Sequence, residues 1–567
     1  MAYSPTPSPT PRSGGIWQPL AFAGVLALGL LLGYRFQNDA PLLSIGTEAG
    51  AHAGGERVSE LLNFIEAKYV DEVDGEKLTD RAIRAVLEEL DPHSNYISPE
   101  ELAAINEQME GNFEGIGIEY LVVEDTITVV TALSGGPSAL AGLLPGDQIV
   151  AVGDSVVTGV FENEIDPASL MRGEGGTDVT VSVRRPTDPD PDELRTFVIT
   201  RAAIPVYSLD AGYKLDENTA YLKINRFSAT TYDEFITAIK ETMEQGGAVN
   251  LILDLRGNPG GYLQMATRML SQLFLAEDLT LVYTKGRNTS EQYYRTSGRA
   301  IFDIQKIAIL VDGGSASASE IVAGAIQDHD RGIVVGRRTF GKGLVQEQYP
   351  LSNGGALRLT VARYYTPSGR SIQRSYDEGA GAYHDDLGSR YASGELTGAT
   401  TAEVDTSQSF YTDNGHLVYG GGGIMPDYFV PLDSTLNSEG YAWLRQQIPA
   451  YVFRYVREQQ RQLDRYDGAE EFARSFRPNM TRVLPELRQM AVSDYDQPIP
   501  ELLPNQRREL ERFLSARVAR QLYGPEAYYV VYNREDEVVR AALDLINDSE
   551  TLAAARRERP APAGVEN

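Results

Sequence analysis

Three observations predict a multi-domain chain of mixed α/β and β class. The 567 residues are too many for one hydrophobic core. Short alternating strands run between Gly115 and Arg201, and near-continuous apolar strands interleaved with helices follow Val206. In chain order the parts are an N-terminal membrane helix, a helical lead, a small β-domain, an α/β core and a helical C-terminal extension. Eighty acidic against 51 basic residues give a formal net charge of −29. That argues against nucleic acid as a partner, because attraction to phosphates needs a basic face. Zero cysteines remove disulfide frameworks, thiolate zinc sites and cysteine nucleophiles.

Residues 1–15 read as a cytoplasmic tail, rich in Pro and Ser with a single Arg12. Residues 16–34, "IWQPLAFAGVLALGLLLGY", carry no charge over 19 positions, enough to span a bilayer core at about 1.5 Å per residue. A cleaved signal peptide is the rival, since the strictly apolar stretch Leu20 to Leu32 has only h-region length. No small-x-small cleavage site follows it, so a retained transmembrane anchor is preferred, and a lipoprotein is excluded for want of Cys. The expected arrangement is a single-pass inner-membrane protein whose long remainder is exported.

Residues 35–55 read as a linker. In the helical region 56–108, "VSELLNFIEAKYV" and "KLTDRAIRAVLEEL" repeat apolar residues at three- and four-residue spacing, and "DPHSNYISPEE" stops the second helix and caps a third. His93 reads there as a polar turn residue. Residues 109–203 switch to short strands, and their run "GPSALAGLLPGDQIVAVGDSVV" resembles the PDZ domains of bacterial proteases. An exposed sheet edge beside a helix accepts an extended peptide by strand addition. The resemblance implies a peptide-binding site at Gly115, Ile116, Gly117 and Ile118, whose amides hold a terminal carboxylate, with Ile118 and Leu140 lining an apolar pocket.

The α/β core, 204–433, alternates strands such as "VNLILDL" and "KIAILVD" with helices, as in a sheet covered on both faces. "DLRGNPGG" and "DGGSASAS" both leave strands and enter helices, where backbone amides converge. Residues 374–418, rich in Gly, Ser, Asp and Thr, read as an inserted loop or disordered lid. Residues 434–567 turn helical again, with a disordered tail expected from Ala554.

The stretch "GGSASASEIVAGAIQDHD" offers three serines and no histidine within a turn of any of them. A serine hydroxyl is a poor nucleophile until a neighbour removes its proton. The five histidines, His52, His93, His329, His384 and His416, sit in linker, turn, post-helix or loop contexts. The stronger base is Lys342 in "RRTFGKGLVQEQYP", where Lys342, Leu344 and Gln346 share a face at period two, so that Gln346 can orient the amine. To act as a base Lys342 must be neutral, its pKa falling from about 10.4 toward 7 or 8, which is roughly 4 kcal/mol and within the reach of burial.

The ordered set "LDPHSNY", "GIGI", "AGLLPGDQI", "LDLRGNPGG", "SASASEI", "GKGLVQ" and "YTPSGRSIQ", from about residue 57 to 430, resembles the carboxyl-terminal processing (tail-specific) proteases. In that family the reactive serine is the middle one of S-A-S-A-S-E, 25 residues before the lysine of G-K-G, a spacing that Ser317 and Lys342 satisfy. The resemblance thus implies a Ser/Lys serine endopeptidase with Ser317 as nucleophile, Lys342 as base and Gln346 as its orienter. Ser319 then reads as a helix cap, with Glu320 in the favourable first turn. The oxyanion hole would take the amide of Ala318 and one from Gly260 or Gly261. No metal and no cofactor is implied. The partners implied are proteins with free apolar C-termini, cleaved with the catalytic part in the periplasm or another extracytoplasmic compartment. Residues 434–567 would serve homo-oligomerisation or adaptor docking. Two rivals are a catalytically idle peptide-binding scaffold, which has no need of Ser317, Lys342 and Gln346, and a Ser-His hydrolase using His329, which lies three turns along the helix after the serine.

Overall fold

The computed structural model describes residues 52–548 apart from 162, 191–192, 403–404 and 496–498. The expected membrane segment 16–34, its preceding tail and the tail from Ala554 lie outside these. Among the described residues no helix is long and apolar enough to cross a membrane.

Of the helical lead, helix His52–Lys68 begins inside the stretch expected to be linker, and Gly75–Glu88 follows it. The third helix, Pro99–Glu110, is written in the sequence by "SPEE". Ser98 Oγ accepts from the Glu101 amide at 3.3 Å while the Glu101 carboxylate accepts from the Ser98 amide at 2.9 Å, and Gly111 ends the helix in the left-handed conformation.

The β-domain is an antiparallel sheet in the order Ile118–Val123, Thr126–Ala132, Gln148–Val152, Asp178–Arg184, Arg195–Thr200. Its alternating residues Ile127, Val129, Ile149, Val181 and Val183 are fully buried. The pair Asn112–Gly115 and Ala202–Pro205 closes the entry and exit of the domain. The turn "LPGD" is fixed by Asp147, which accepts from the Leu144 amide at 2.9 Å and pairs with both arms of Arg185 at 2.7 Å.

The α/β core is built on the six strands Leu209–Lys214, Thr219–Ile224, Asn250–Asp254, Ile307–Val311, Ile333–Gly336 and Tyr428–Phe429. The first pair is antiparallel and the rest run parallel. Thr219–Ile224, Asn250–Asp254 and Ile307–Val311 are buried at every position, which is why they are mostly apolar, and the charges among them, Lys223 and Asp254, pair with each other. One face packs against helices Thr231–Ile239, Leu263–Ser271 and Ala318–Asp328. The other is covered by the last described helix, Glu537–Asn547, whose Val538, Val539, Ala542, Leu545 and Ile546 meet Ile252, Ala308, Leu310 and Val335. A second, antiparallel sheet joins Asn95–Ile97 and Leu344–Pro350 to Ala356–Tyr365, and that strand to Glu277–Lys285 and Gln292–Ser297.

The stretch 374–418 is not a disordered lid. It carries helices Ala380–His384 and Asp386–Ser393 and the hairpin Ser409–Tyr411/Leu417–Tyr419. Its Tyr383 and Arg390 are buried, and Arg390 donates to the carbonyls of Arg338 and Thr339 at 3.0 and 2.9 Å. Polar composition there satisfies the backbone of the neighbouring loop instead of solvating a free segment. The extension from residue 434 folds as helices Glu439–Leu463, Ala469–Ser475, Met480–Tyr495, Pro504–Tyr523 and Pro525–Tyr532 around a core that includes Leu444, Ile448, Phe472, Leu487 and Leu514.

Candidate active site

Ser317 stands at the turn from strand Ile307–Val311 into helix Ala318–Asp328, with φ 55° and ψ −114°. A non-glycine residue in this region carries a strain of about 1–3 kcal/mol, so neighbours must hold it. Two buried side chains do. The Glu320 carboxylate accepts from the Ser317 amide at 2.8 Å, and the Tyr364 hydroxyl lies 3.2 Å from the Ser317 carbonyl. The same two side chains grip the lysine loop. Glu320 accepts from the amides of Lys342 at 2.9 Å and Gly341 at 2.6 Å and from Thr339 Oγ1 at 2.5 Å, and Tyr364 donates to the Lys342 carbonyl at 2.6 Å. Glu320 and Tyr364 thus fix the backbones of Ser317 and Lys342 to one another across 25 residues of chain.

Lys342 Nζ donates to Gln346 Oε1 at 3.0 Å, within the half-buried surroundings of strand Leu344–Pro350. Burial pushes its ammonium down to about 8, and the Arg358 guanidinium adds to the push. Gln346 is held in turn, because its amide donates to the His93 carbonyl. His93 is therefore more than a polar turn residue. Its loop is tied by Asp91, which accepts from the amides of His93 at 2.8 Å and Ser94 at 2.9 Å and from Thr360 Oγ1 at 3.1 Å on the strand beside Gln346. Burial, with Lys342 adding to it, pushes the His93 imidazole down to about 4, and its Nε2 meets the Tyr383 hydroxyl at 2.9 Å.

The other two serines are structural. Ser315, fully buried, donates to the Leu255 carbonyl at 2.8 Å. Ser319 is not the cap: it lies within the first helical turn, buried, and donates to the Asn258 carbonyl at 3.0 Å, while the cap position belongs to Ser317. Burial pushes Glu320 up to about 7, against the pull of four donors that favour its charge. It is thus a buried clasp, where the sequence places it only in the favourable first turn of the helix.

At the expected oxyanion hole, a Cβ on Gly260 would lie 2.8 Å from Ser317 Cβ and 2.9 Å from the Ala318 nitrogen, so only glycine allows this approach. The Gly260 amide itself donates to Asn258 Oδ1 at 2.8 Å. Among the described residues, the amides of Ala318 and Gly261 form no hydrogen bond. His329 ends the helix that Ser317 begins, with Nδ1 2.7 Å from Asp413 Oδ2 and Nε2 2.8 Å from the Thr280 carbonyl. Eleven helical residues separate the two, about 16 Å at the rise of an α-helix, so it is no base for Ser317.

Peptidase family S41 matches residues 218–379, and the PDZ domain matches residues 128–185. The chain is 36% identical over 338 residues to the carboxy-terminal-processing protease of Bartonella bacilliformis, covering 59% of this chain and 76% of that protein. It is also 36% identical to the carboxyl-terminal-processing protease of Picosynechococcus sp., over 53% of this chain and 72% of that one. The chain belongs to the carboxy-terminal-processing protease family. A solved structure, the photosystem II D1 C-terminal processing protease, is similar at 30% identity and a TM-score of 0.31, covering 55% of this chain and 83% of that one.

As a processing protease of the serine type, the chain carries its PDZ domain between the helical lead and the core. Among the described residues, the amides of Ile116 and Gly117 form no hydrogen bond, and Gly117 has φ 72°. Gly115 is instead a paired strand residue, opposite Ala202. Among the described residues, strand Ile118–Val123 is the outer strand of its sheet, paired only with Thr126–Ala132. Leu140 does not line a pocket there: it is 80% exposed, on the short helix Pro137–Ala141, whose following Gly142 packs toward Phe197 in the strand at the opposite edge of the sheet. Helix Pro167–Met171 is the one beside the outer strand, and Asp166 and Arg172 at its two ends both bear on the Tyr120 hydroxyl, whose pKa is raised chiefly by burial.

Proposed function

We propose that this protein grips the free C-terminus of a protein substrate in its PDZ groove and cleaves upstream through a Ser317 acyl-enzyme. In the first step Lys342 Nζ, neutral, takes the Ser317 Oγ proton as Oγ attacks the scissile carbonyl carbon. The oxyanion that forms is held by the amides of Ala318 and Gly261. The C–N bond then breaks, with the lysine proton passing to the departing amine. In the second step water attacks the ester, gives its proton to Lys342, and the proton returns to Ser317 Oγ as the new carboxyl end departs. Gln346 keeps Nζ aimed, and Glu320 and Tyr364 hold base and nucleophile in register. The observation that carries this reading is the buried, pKa-lowered Lys342 amine bonded to Gln346, on a loop clasped to Ser317 by the same two side chains.

The free edge of strand Ile118–Val123 supports tail reading, with the amides of Ile116 and Gly117 as donors for a terminal carboxylate. The charge-free stretch 16–34 supports a membrane-anchored protein whose catalytic part works outside the cytoplasm. Matched substrates ending in a free acid or an amide test the function. Free acids with an apolar last residue are cleaved roughly ten- to a hundredfold faster. Equal rates for the two ends would reduce the protein to a general peptidase.

A further inference from the structure

A cavity of about 310 Å³ lies against strand Ile118–Val123 and its neighbour Thr126–Ala132, under the helical extension. One wall is made by the four consecutive residues Ile118, Glu119, Tyr120 and Leu121 with Val130 and Thr131 of the neighbouring strand, so the cavity adjoins the outer strand, the one an added strand would pair with, and is open to side chains from that added strand. The opposite wall belongs to the helical extension: Pro449 and Val452 of helix Glu439–Leu463, and Arg517, Arg520 and Gln521 of helix Pro504–Tyr523. Arg520 is engaged, its Nη2 donating to Glu119 Oε1 at 2.9 Å. Arg517, three residues earlier on the same helix face, is half-buried and forms no hydrogen bond or ion pair among the described residues. The charged and titratable groups that bear on it are Arg520, Tyr528 and Glu119, and burial with Arg520 pushes its pKa down. A half-buried cation whose one acidic neighbour is already paired is costly unless something supplies the missing anion.

We propose that the helical extension is the second wall of the tail-reading groove, and that Arg517 holds an acidic side chain from the last few residues of the substrate. The inference rests on the PDZ reading above. A peptide added to the outer strand alternates its side chains between two faces. If the terminal apolar side chain enters the pocket beside helix Pro167–Met171, the second and fourth side chains from the end face away from it, toward the extension. The terminal carboxylate is already provided for by the amides of Ile116 and Gly117, which leaves Arg517 for a side chain. The local cation thus outweighs the repulsion that an acidic tail meets from the protein's net charge of −29, because pairing at close range is screened less than the diffuse field.

The test uses the full chain and peptides ending in one apolar residue, with Glu, Gln or Lys at the second and fourth positions from the end, each as free acid and as amide. The wild type prefers Glu over Lys by about five- to tenfold in kcat/KM, expressed in KM. Arg517→Gln brings the ratio close to one and Arg517→Glu inverts it. Each ratio compares two substrates on one enzyme preparation, so a partly misfolded variant does not distort it. A Glu-to-Lys ratio unchanged in Arg517→Glu overturns the proposal. So does an Arg517→Gln variant that loses the free-acid preference and keeps the Glu preference, since Arg517 would then serve the terminal carboxylate. Free-acid preference without any side-chain preference overturns this inference alone, whereas equal rates for acid and amide remove the tail-reading function beneath it.

Discussion

Lys342 serves as a base only when neutral, and burial holds its pKa at about 8. kcat/KM therefore rises with pH through about 8 and levels off above it, as a pH–rate profile will show. Lys342→Arg is inactive, because a guanidinium keeps its proton. A limb near the ordinary histidine range that vanishes with His329→Ala contradicts the assignment. Ser315→Ala and Ser319→Ala keep their chemistry; Ser319→Ala loses about 1 kcal/mol of stability from one buried hydrogen bond and Ser315→Ala about 2 kcal/mol, since its hydroxyl also accepts from the Asp312 amide. Glu320 adds a second titration. Its folded pKa of about 7 stands above its ordinary 4.5, so the stability it contributes is full below about 4.5 and is lost as pH rises through about 7. The Tm of the wild type therefore falls across that window relative to Glu320→Gln, and parallel Tm curves would deny the buried-clasp role. The pairing of Lys342 with Gln346 was legible because their alternation is local in sequence, whereas Ser317 was singled out among three serines only by the family resemblance. Glu320 and Tyr364 were not legible, because their work is done between segments that only the fold brings together. One signal for Glu320 did exist: the residues that follow it, "IVAGAI", are apolar on all sides, and a helix apolar all round is buried together with its first turn.

Helix Ala318–Asp328, which Ser317 begins, is buried at all eleven positions, so its far end must be satisfied as fully as its start. Arg370, of "YTPSGRSIQ", does this: fully buried, it donates to Asp328 Oδ1 and to Gln327 Oε1, each at 2.7 Å. Asp328 Oδ2 accepts from the Ser368 amide at 3.0 Å and from Thr366 Oγ1. Arg370→Ala strands a buried carboxylate and lowers stability by about 3–5 kcal/mol, measurable as a shift in the denaturant midpoint. Arg370→Lys restores only part, having no planar fork. A cost within the range of a surface substitution would refute the anchoring role. At this scale the strands and helices of the core were readable from their apolar runs, whereas 374–418 misled. Gly, Ser, Asp and Thr signal a loop by composition, and nothing local reveals that Tyr383 and Arg390 fold back onto the lysine loop.

The extension looked from the sequence like an appendage for oligomers or adaptors, because its amphipathic helices say nothing of what their apolar faces meet. The fold makes its end part of the protease core. Glu537–Asn547 covers one face of the central sheet, and Asp536 receives both bonds of Arg256 Nη1, at 3.1 and 3.0 Å, while Arg256 also pairs with the buried Asp254. Removal of residues from Asp536 onward bares Ile252, Ala308, Leu310 and Val335 and leaves the protein aggregated or proteolysed, whereas a helix that is an accessory would be dispensable to solubility. The end of the extension is thus part of the core, and the chemistry proposed above stands or falls on Ser317 and Lys342 acting as one unit. The measurement that tests this most directly is kcat/KM on a free-acid protein substrate for Ser317→Ala, Lys342→Ala and the double variant, each shown to be folded. All three fall to the same residual rate, since losses within one proton-transfer unit do not add. Two single losses that add in the double variant, or substantial cleavage surviving in Ser317→Ala, would contradict the Ser/Lys account.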